Sequence, residues 1–386
     1  MKHVAIVLGT RPEAIKVAPL VQLLRTDPWK SHARVTLVST GQHRELLRGA
    51  LDAFDLRADV DLDLMTHAQK PGELTGRILQ RLGHLFAELS PDIVVAQGDT
   101  TTVLAAAMGA FLAKIPFAHV EAGLRSGSLE EPFPEEMHRR AAAVCTKWHF
   151  APTQASKQNL LREGFSESDI FVVGNTSIDA LRSVLARPAR TGSDLLSGID
   201  SSRRLVLVTV HRRESFGESI RAIFRSLRSL AERFPDVVFV YPMHPNPAVR
   251  EVAIEMLRGV EQIRLVDALA YETFVHLQAR AHLILTDSGG VQEEAPSLGV
   301  PTLVLRNTTE RPEAVKSGVA ALVGMDEQTI TTTAAALLSD PRRHAQMAKK
   351  VSVYGDGRAS ERIASVLLHG RMSPDEFAPP HLEEAR

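Results

Sequence analysis

Short apolar runs separated by longer stretches of mixed character set the pattern of this chain. In the first half the runs fall at 3–8, 34–39, 93–97, 116–120 and 171–173 and are dominated by valine, isoleucine, leucine and alanine. Between them, residues 13–25, 74–89 and 101–113 return apolar positions at helical spacing. Strands without polar alternation, spaced by helices, predict a parallel sheet covered on both faces. The second half repeats the plan. Strands are predicted at 204–210, 237–241, 263–266, 282–286 and 301–305, and helices at 217–233, 247–258, 271–280 and 328–338. A last helix is predicted over 358–369.

The fold class that follows is α/β, with two Rossmann-like α/β/α domains facing across a cleft. Residues 1–180 form the first domain, which carries the candidate carboxylates. Residues 181–203, polar and containing Pro188, Gly192 and Gly198, form a helix end and linker. Residues 204–353 form the second domain, 354–369 hold the terminal helix, and 370–386, rich in proline and charge, form a disordered tail. Ligands in open parallel sheets bind beyond the carboxyl ends of the strands, so the chemistry is expected there.

Composition narrows the choices. A chain of 386 residues is long for a single core. A formal net charge of -1 argues against a general polyanion surface, so no nucleic-acid partner is expected. No run approaches the roughly 20 apolar residues that cross a bilayer, so no membrane partner is expected. The single cysteine, Cys145, excludes an intrachain disulfide and a cysteine metal cluster, and fits a cytoplasmic setting. The apolar start, Val4 to Leu8, is broken too early by Gly9-Thr10-Arg11-Pro12-Glu13 to be a signal peptide and reads as a first buried strand.

The clearest chemistry lies at Leu283 to Glu294. An apolar strand runs into Ser288-Gly289-Gly290 and then into a helix. Small residues let backbone N–H groups approach an anion, and the helix start adds partial positive charge, which makes a phosphate seat. Glu294, one turn further on, is placed to accept ribose hydroxyls; the plainer alternative is a Gly-rich turn followed by a surface glutamate. Gly9-Thr10-Arg11-Pro12-Glu13 follows the first strand, and Arg11 there can fork onto a phosphate or a base carbonyl, with Lys16 one turn on. The segment is neither a Walker A loop nor a Gly-x-Gly-x-x-Gly turn, which removes the main support for NAD binding.

Acidic candidates stand at strand ends. Asp99, in Gln97-Gly98-Asp99-Thr100, is either a reacting carboxylate or an N-cap. Glu121 comes directly off the next strand, and glutamate is a poor cap. Glu135-Glu136 open a helix that also carries Arg139, and spacing alone does not say which glutamate reaches a site. Carboxylates on neighbouring strand ends can divide acid and base roles. His211, with Arg212 and Arg213, closes a strand of the second domain and suits a bound diphosphate. His244 is a second strand-end imidazole, and Arg311 lies in a further loop of the same domain. No His-x-x-x-His or His-Glu-x-x-His pairing supports a metal site.

Taken in order, these blocks resemble the bacterial non-hydrolysing UDP-N-acetylglucosamine 2-epimerases. The likeness runs from residue 3 to about residue 368 and rests on Gly9 to Lys16, Gln42-His43-Arg44-Glu45, Gly98 to Thr102, His119 to Arg125, Pro134-Glu135-Glu136, Gly174-Asn175-Thr176, His211 to Ser215, Asp287 to Gly290, Gln292 to Ser297, Thr309 to Glu313 and Tyr354 to Gly357. The resemblance implies a fold like that of the B-type glycosyltransferases, with 354–369 crossing back to the first domain. It implies a homodimer that needs neither NAD nor metal, and reversible conversion of UDP-GlcNAc to UDP-ManNAc by loss of UDP to 2-acetamidoglucal and its return. By matching motifs it makes Asp99, Glu121, Glu135 and His211 catalytic. Arg11, Lys16, Arg139, His211, Ser288, Gly289, Gly290, Glu294 and Arg311 become substrate contacts. Gln42, His43 and Arg44 match the region that binds a second UDP-GlcNAc as activator. Two departures stand out: extra residues in the loop 65–74, and Gln97 in place of a histidine. Alternative readings are a 2-epimerase of a related sugar such as a UDP-2,3-diacetamido uronate, and a hydrolysing epimerase that releases ManNAc and UDP.

Overall fold

Val4 to Leu8, Ile93 to Ala96, Leu205 to Val208 and Leu283 to Leu285 are almost wholly withdrawn from water, as central strands of a two-faced parallel sheet must be. The computed structural model describes residues 1–41, 44–64, 70–188, 198–200, 202–212 and 215–379, the side chains of 44–46 excepted. The chain divides into two compact units, Met1–Val184 with Tyr354–Ala378, and Leu185–Val353.

The amino-terminal unit holds seven strands: β1 (Lys2–Leu8), β2 (Ala33–Ser39), β3 (Val60–Asp61), β4 (Ile93–Gln97), β5 (Phe117–Val120), β6 (Trp148–Ala151) and β7 (Ile170–Val172). Their order is β3-β2-β1-β4-β5-β6-β7, every pair parallel. The direction of winding reverses between β1 and β4, so the loops that leave these two strands diverge and open a crevice. Gly9–Arg11 and Gly98–Asp99 sit there, and Glu121 follows on β5. One face is sealed by Ile78, Leu82 and Phe86 of helix Pro71–Leu89 and by the small residues Ala105, Ala106 and Ala110 of helix Thr101–Leu112. The helix Ala359–His369 packs on helix Arg11–Leu24 within this same unit.

The carboxy-terminal unit has six parallel strands: β8 (Arg204–Thr209), β9 (Val237–Pro242), β10 (Ile263–Val266), β11 (Leu283–Thr286), β12 (Thr302–Val304) and β13 (Ala320–Leu322), in the order β10-β9-β8-β11-β12-β13. Its reversal lies between β8 and β11, where His211 and Ser288–Gly290 emerge. Phe224, Leu227 and Leu230 of helix Glu218–Arg233 cover one face, and Val291 and Ala295 of helix Gly289–Leu298 join the other.

Two differences from the sequence-based expectations have physical causes. β3, β6 and β13 are short, and β6 (Trp-His-Phe-Ala) carries His149, whose burial pushes its pKa down to about 3 and keeps the ring neutral inside the sheet. The tail expected to be disordered from 370 is instead packed as far as the described residues extend. Phe377 is 2 % exposed among Ala151, Leu160 and Val172, and its N–H donates to Val172 O at 2.9 Å. The aromatic ring, with Arg362 donating to Asp375 O at 2.7 Å and Ser365 Oγ to Arg371 O at 2.8 Å, seats the segment. In the expected linker the helix Thr176–Leu185 runs on to Leu185, while 189–197, like 65–69 of the irregular loop and 380–386 of the tail, lies outside the described residues.

Candidate active site

In the amino-terminal unit the loop after β1 is held from inside the following helix. Glu13 accepts the N–H groups of Gly9 and Thr10 on one oxygen, each at 2.7 Å, and the Thr100 hydroxyl on the other. The first of these loops presents Arg11 and the second carries Asp99, so one buried carboxyl couples them. Burial pushes the Glu13 pKa up to about 7, against the pull of those donors.

Thr100, not Asp99, performs the capping duty at helix Thr101–Leu112, since its hydroxyl accepts from Val103 N. Asp99 is thereby left to Arg139, whose Nη2 lies 2.6 Å from Oδ2. His138 Nδ1 donates to the Asp99 carbonyl at 2.9 Å, fixing the backbone there as well. His119 donates from Nε2 to Gly98 O at 2.7 Å, and burial holds its pKa down at about 4, so the ring is a neutral prop.

Glu121 is set under more constraint. Its φ of +66° is the left-handed region, which costs a non-glycine residue roughly 1–3 kcal/mol and persists only where the surroundings impose it. Three donors converge on its Oε2: Lys16 Nζ at 2.5 Å, Gln97 Nε2 at 3.0 Å and Asn175 Nδ2 at 3.3 Å. Lys16, expected as a substrate contact, is thus turned onto a carboxylate, with both side chains nearly buried. Each strand-end carboxylate has its own cation: Lys16 for Glu121, Arg139 for Asp99.

The geometry separates the two glutamates at the helix start. Glu136 is fully buried and engaged by Ser126 N, Arg139 and Arg140. Glu135 keeps a buried Oε2 with no hydrogen-bond partner among the described residues, an acceptor or proton carrier not used for packing. Arg125 forks onto Glu163 at 2.7 and 2.6 Å and is structural.

The carboxy-terminal unit builds its seat around Asp287, a residue without an assigned role in the sequence reading. Fully buried at the end of β11, its Oδ2 accepts the N–H groups of His211 and Arg212, both at 2.8 Å, and the Ser215 hydroxyl at 3.1 Å. His211 Nδ1 lies 3.2 Å from Oδ1. Burial raises the Asp287 pKa, but the His211 ring and these N–H groups outweigh it and hold the carboxyl below its ordinary value. The imidazole of His211 stacks on His244, with centroids 5.6 Å apart and planes 15° from parallel.

Ser288 opens helix Gly289–Leu298 without capping it through its side chain, so the amide groups of the first turn are not spent on a capping hydroxyl. Gly289 is required by close approach: a Cβ there would stand 2.7 Å from the Arg311 guanidinium carbon. Arg311 is buried between Glu293 (Nε–Oε1 2.6 Å) and Glu310 (Nη1–Oε1 2.6 Å), and Arg306 closes on Glu310 at 2.9 Å. Arg212 reaches within 3.9 Å of Glu310, so three guanidinium groups meet two carboxylates beside the helix start. Burial opposes ionisation of Glu310, yet Arg311 and Arg306 drive its pKa far below the ordinary value. Glu294 is a buried carboxylate braced by Tyr271 Oη at 3.0 Å and Gln278 Nε2 at 2.7 Å, not a surface residue.

Of the second-ligand candidates, Gln42 and His43 lie outside the described residues, and Arg44 opens the helix Arg44–Asp52 with its side chain undescribed. Among the described residues no group of three or more His, Cys, Asp or Glu side chains is placed to share a metal ion, and no helix is long and apolar enough to cross a membrane.

Asp287, Asn175 and Glu13 help form these sites without having been given a role from sequence, and Gln97 was noted there only as a departure from a histidine. The available signals were weak: an aspartate just past a buried strand, two amides at strand ends, and a glutamate at the third helical position of a capping sequence.

The family model described as UDP-N-acetylglucosamine 2-epimerase matches residues 29–368. The UDP-N-acetylglucosamine 2-epimerase of Escherichia coli K12 is 47% identical over 373 residues, covering 95% of this chain and 98% of that one. The crystal structure of UDP-GlcNAc 2-epimerase from Neisseria meningitidis bound to UDP-GlcNAc superposes with a TM-score of 0.89 at 42% identity, over 95% of this chain and 99% of that one. The Methanocaldococcus jannaschii UDP-GlcNAc 2-epimerase, in complex with UDP-GlcNAc and UDP, gives 0.81 at 34% identity with the same coverage. Two parallel-sheet domains, strand-end carboxylates each paired to a cation, an anion seat at a helix start and this extent of likeness lead to one statement: the chain is an enzyme of the UDP-N-acetylglucosamine 2-epimerase family.

Proposed function

We propose that the enzyme interconverts UDP-GlcNAc and UDP-ManNAc without net hydrolysis. The proton at C2 is not adjacent to a carbonyl, so direct enolisation is unavailable. The route we assign is elimination: UDP leaves C1 as a base takes the C2 proton, giving 2-acetamidoglucal, and UDP returns as a proton reaches the other face of C2. The diphosphate belongs on the first turn of helix Gly289–Leu298 with His211 and the arginines, where anion stabilisation favours departure of UDP. Glu294, braced by Tyr271 and Gln278, is oriented for the ribose. Asp99, Glu121 and Glu135 supply the proton chemistry. The observation that carries the reading is the strained Glu121, held by Lys16, Gln97 and Asn175 at the end of a central strand.

Product analysis tests this. UDP-GlcNAc incubated with the enzyme and followed by proton NMR should yield UDP-ManNAc up to an equilibrium mixture. Free ManNAc with UDP would mean hydrolysis, and no reaction would point to a different sugar, such as a diacetamido uronate.

The same reading includes a second UDP-GlcNAc as activator near Gln42, His43 and Arg44; a hyperbolic rate curve for UDP-ManNAc formation would speak against it. It also includes a homodimer. Met108, Phe111 and Leu112 on helix Thr101–Leu112, with Met137 and Val144 on the adjacent helix Glu135–Val144, expose apolar surface suited to a second copy.

A further inference from the structure

Asn175 follows β7, and its side chain is fixed at both ends. Its Oδ1 accepts the Ser177 N–H at 2.9 Å, which sets the orientation of the amide and turns Nδ2 toward Glu121 Oε2, 3.3 Å away. The residue is buried, and its own N–H donates to Tyr354 O at 2.6 Å. Tyr354 begins the C-terminal segment of this unit. Gly355 lies against the same residue: a Cβ there would stand 3.2 Å from Asn175 O, 3.3 Å from its N and 3.1 Å from Ile178 Cγ1. Arg362 ties the segment down. It forks onto Asp356 at 2.8 and 2.7 Å, donates to Val173 O at 3.1 Å and Asp375 O at 2.7 Å, and lies over the Phe377 ring.

We propose that Asn175 is a positioning residue for Glu121, and that the segment 354–378 holds it in place. Lys16 supplies charge to the carboxylate through a flexible stem, which fixes direction poorly. Two amides, Gln97 at the end of β4 and Asn175 after β7, approach the same oxygen from two elements and define where the rest of the carboxylate points. The chain's C-terminal residues, remote in sequence from the acidic motifs, thereby enter the proton chemistry. The inference rests on the assignment of Glu121 to proton transfer at C2.

The test compares kcat, KM for UDP-GlcNAc, UDP affinity and the pH profile of kcat. Asn175→Ala is expected to lower kcat about 10- to 100-fold while KM and UDP affinity stay within about two-fold, the pattern of lost orientation at the reacting centre. Asn175→Asp is isosteric and keeps an acceptor for Ser177 N–H, so it carries the test if the alanine variant does not fold. It sets a carboxylate against Glu121 and should move the acid limb of the profile to higher pH. Gly355→Ala should reproduce the Asn175→Ala pattern, and the double variant should be no worse than Asn175→Ala alone. Wild-type kcat in Asn175→Ala, a loss confined to KM or UDP affinity, or an unmoved profile in Asn175→Asp overturns the role of Asn175. A wild-type enzyme that leaves UDP-GlcNAc unchanged overturns the function itself.

Discussion

At the scale of single residues, Arg139 faces Asp99 and Lys16 faces Glu121, and the buried carboxyls of Glu13 and Asp287 each anchor loops of their own unit. Asp99→Asn and Glu121→Gln keep the shape of these pairs and remove the proton-carrying oxygen, so turnover should fall by about 10²- to 10⁴-fold with UDP affinity, read by calorimetry, nearly intact. A loss of affinity with kcat retained would count against the catalytic assignment. Asp287→Ala should do the reverse. Without it the His211–Arg212 turn loses its acceptor, and UDP binding should weaken by about 10-fold or more. Glu13 links the two loops and titrates within reach of neutral pH. Its folded pKa of about 7 lies above the ordinary 4.5, so between those values the folded chain holds a proton that the unfolded chain has lost. Its contribution to stability therefore declines as pH rises across that window. The melting temperature should fall less steeply from pH 5 to pH 7 in Glu13→Gln than in the wild type; equal slopes would refute this. What was legible here was residue type at strand ends: Asp99, Glu121 and Ser288–Gly290. What was not legible was partnership. Lys16 was read as a substrate contact, and its pairing with Glu121 was not foreseen, because that partner is more than a hundred positions away in sequence.

At the scale of elements, long apolar periodicity was read well and short elements poorly. Helices such as Tyr271–Arg280 and strands such as Ile93–Gln97 match the predicted spans because their burial pattern is carried by many residues. β6 and β13 were missed because three or four residues carry too little pattern, and in β6 a buried neutral histidine disguises it. The tail shows the same limit: its single aromatic anchor, Phe377, stands in a stretch with little apolar pattern. Phe377→Ala should destabilise the chain by roughly 3–5 kcal/mol in denaturant titration, the usual cost of emptying a buried aromatic site. A change within error would mean that the tail is not seated in solution. At the phosphate seat, Gly289→Ala pushes a methyl against the Arg311 guanidinium and should weaken UDP binding while leaving the fold intact.

At the scale of the whole molecule, two parallel-sheet units each reverse their winding at one point, and each places candidate residues at the strand ends there: Arg11 and Asp99 in one, His211 and Ser288–Gly290 in the other. The family and the extent of the likeness were readable from ordered motifs spread over the chain, because each motif marks a loop at a strand end and such loops are contiguous in sequence. The central claim is that the C2–H bond breaks while the nucleotide sugar is recovered whole. Incubation of UDP-GlcNAc with the enzyme in deuterium oxide, followed by proton NMR and mass spectrometry of the recovered nucleotide sugars, measures this directly. One solvent deuteron at C2 of both UDP-GlcNAc and UDP-ManNAc is the predicted result; UDP-ManNAc that retains the original C2 proton would contradict it.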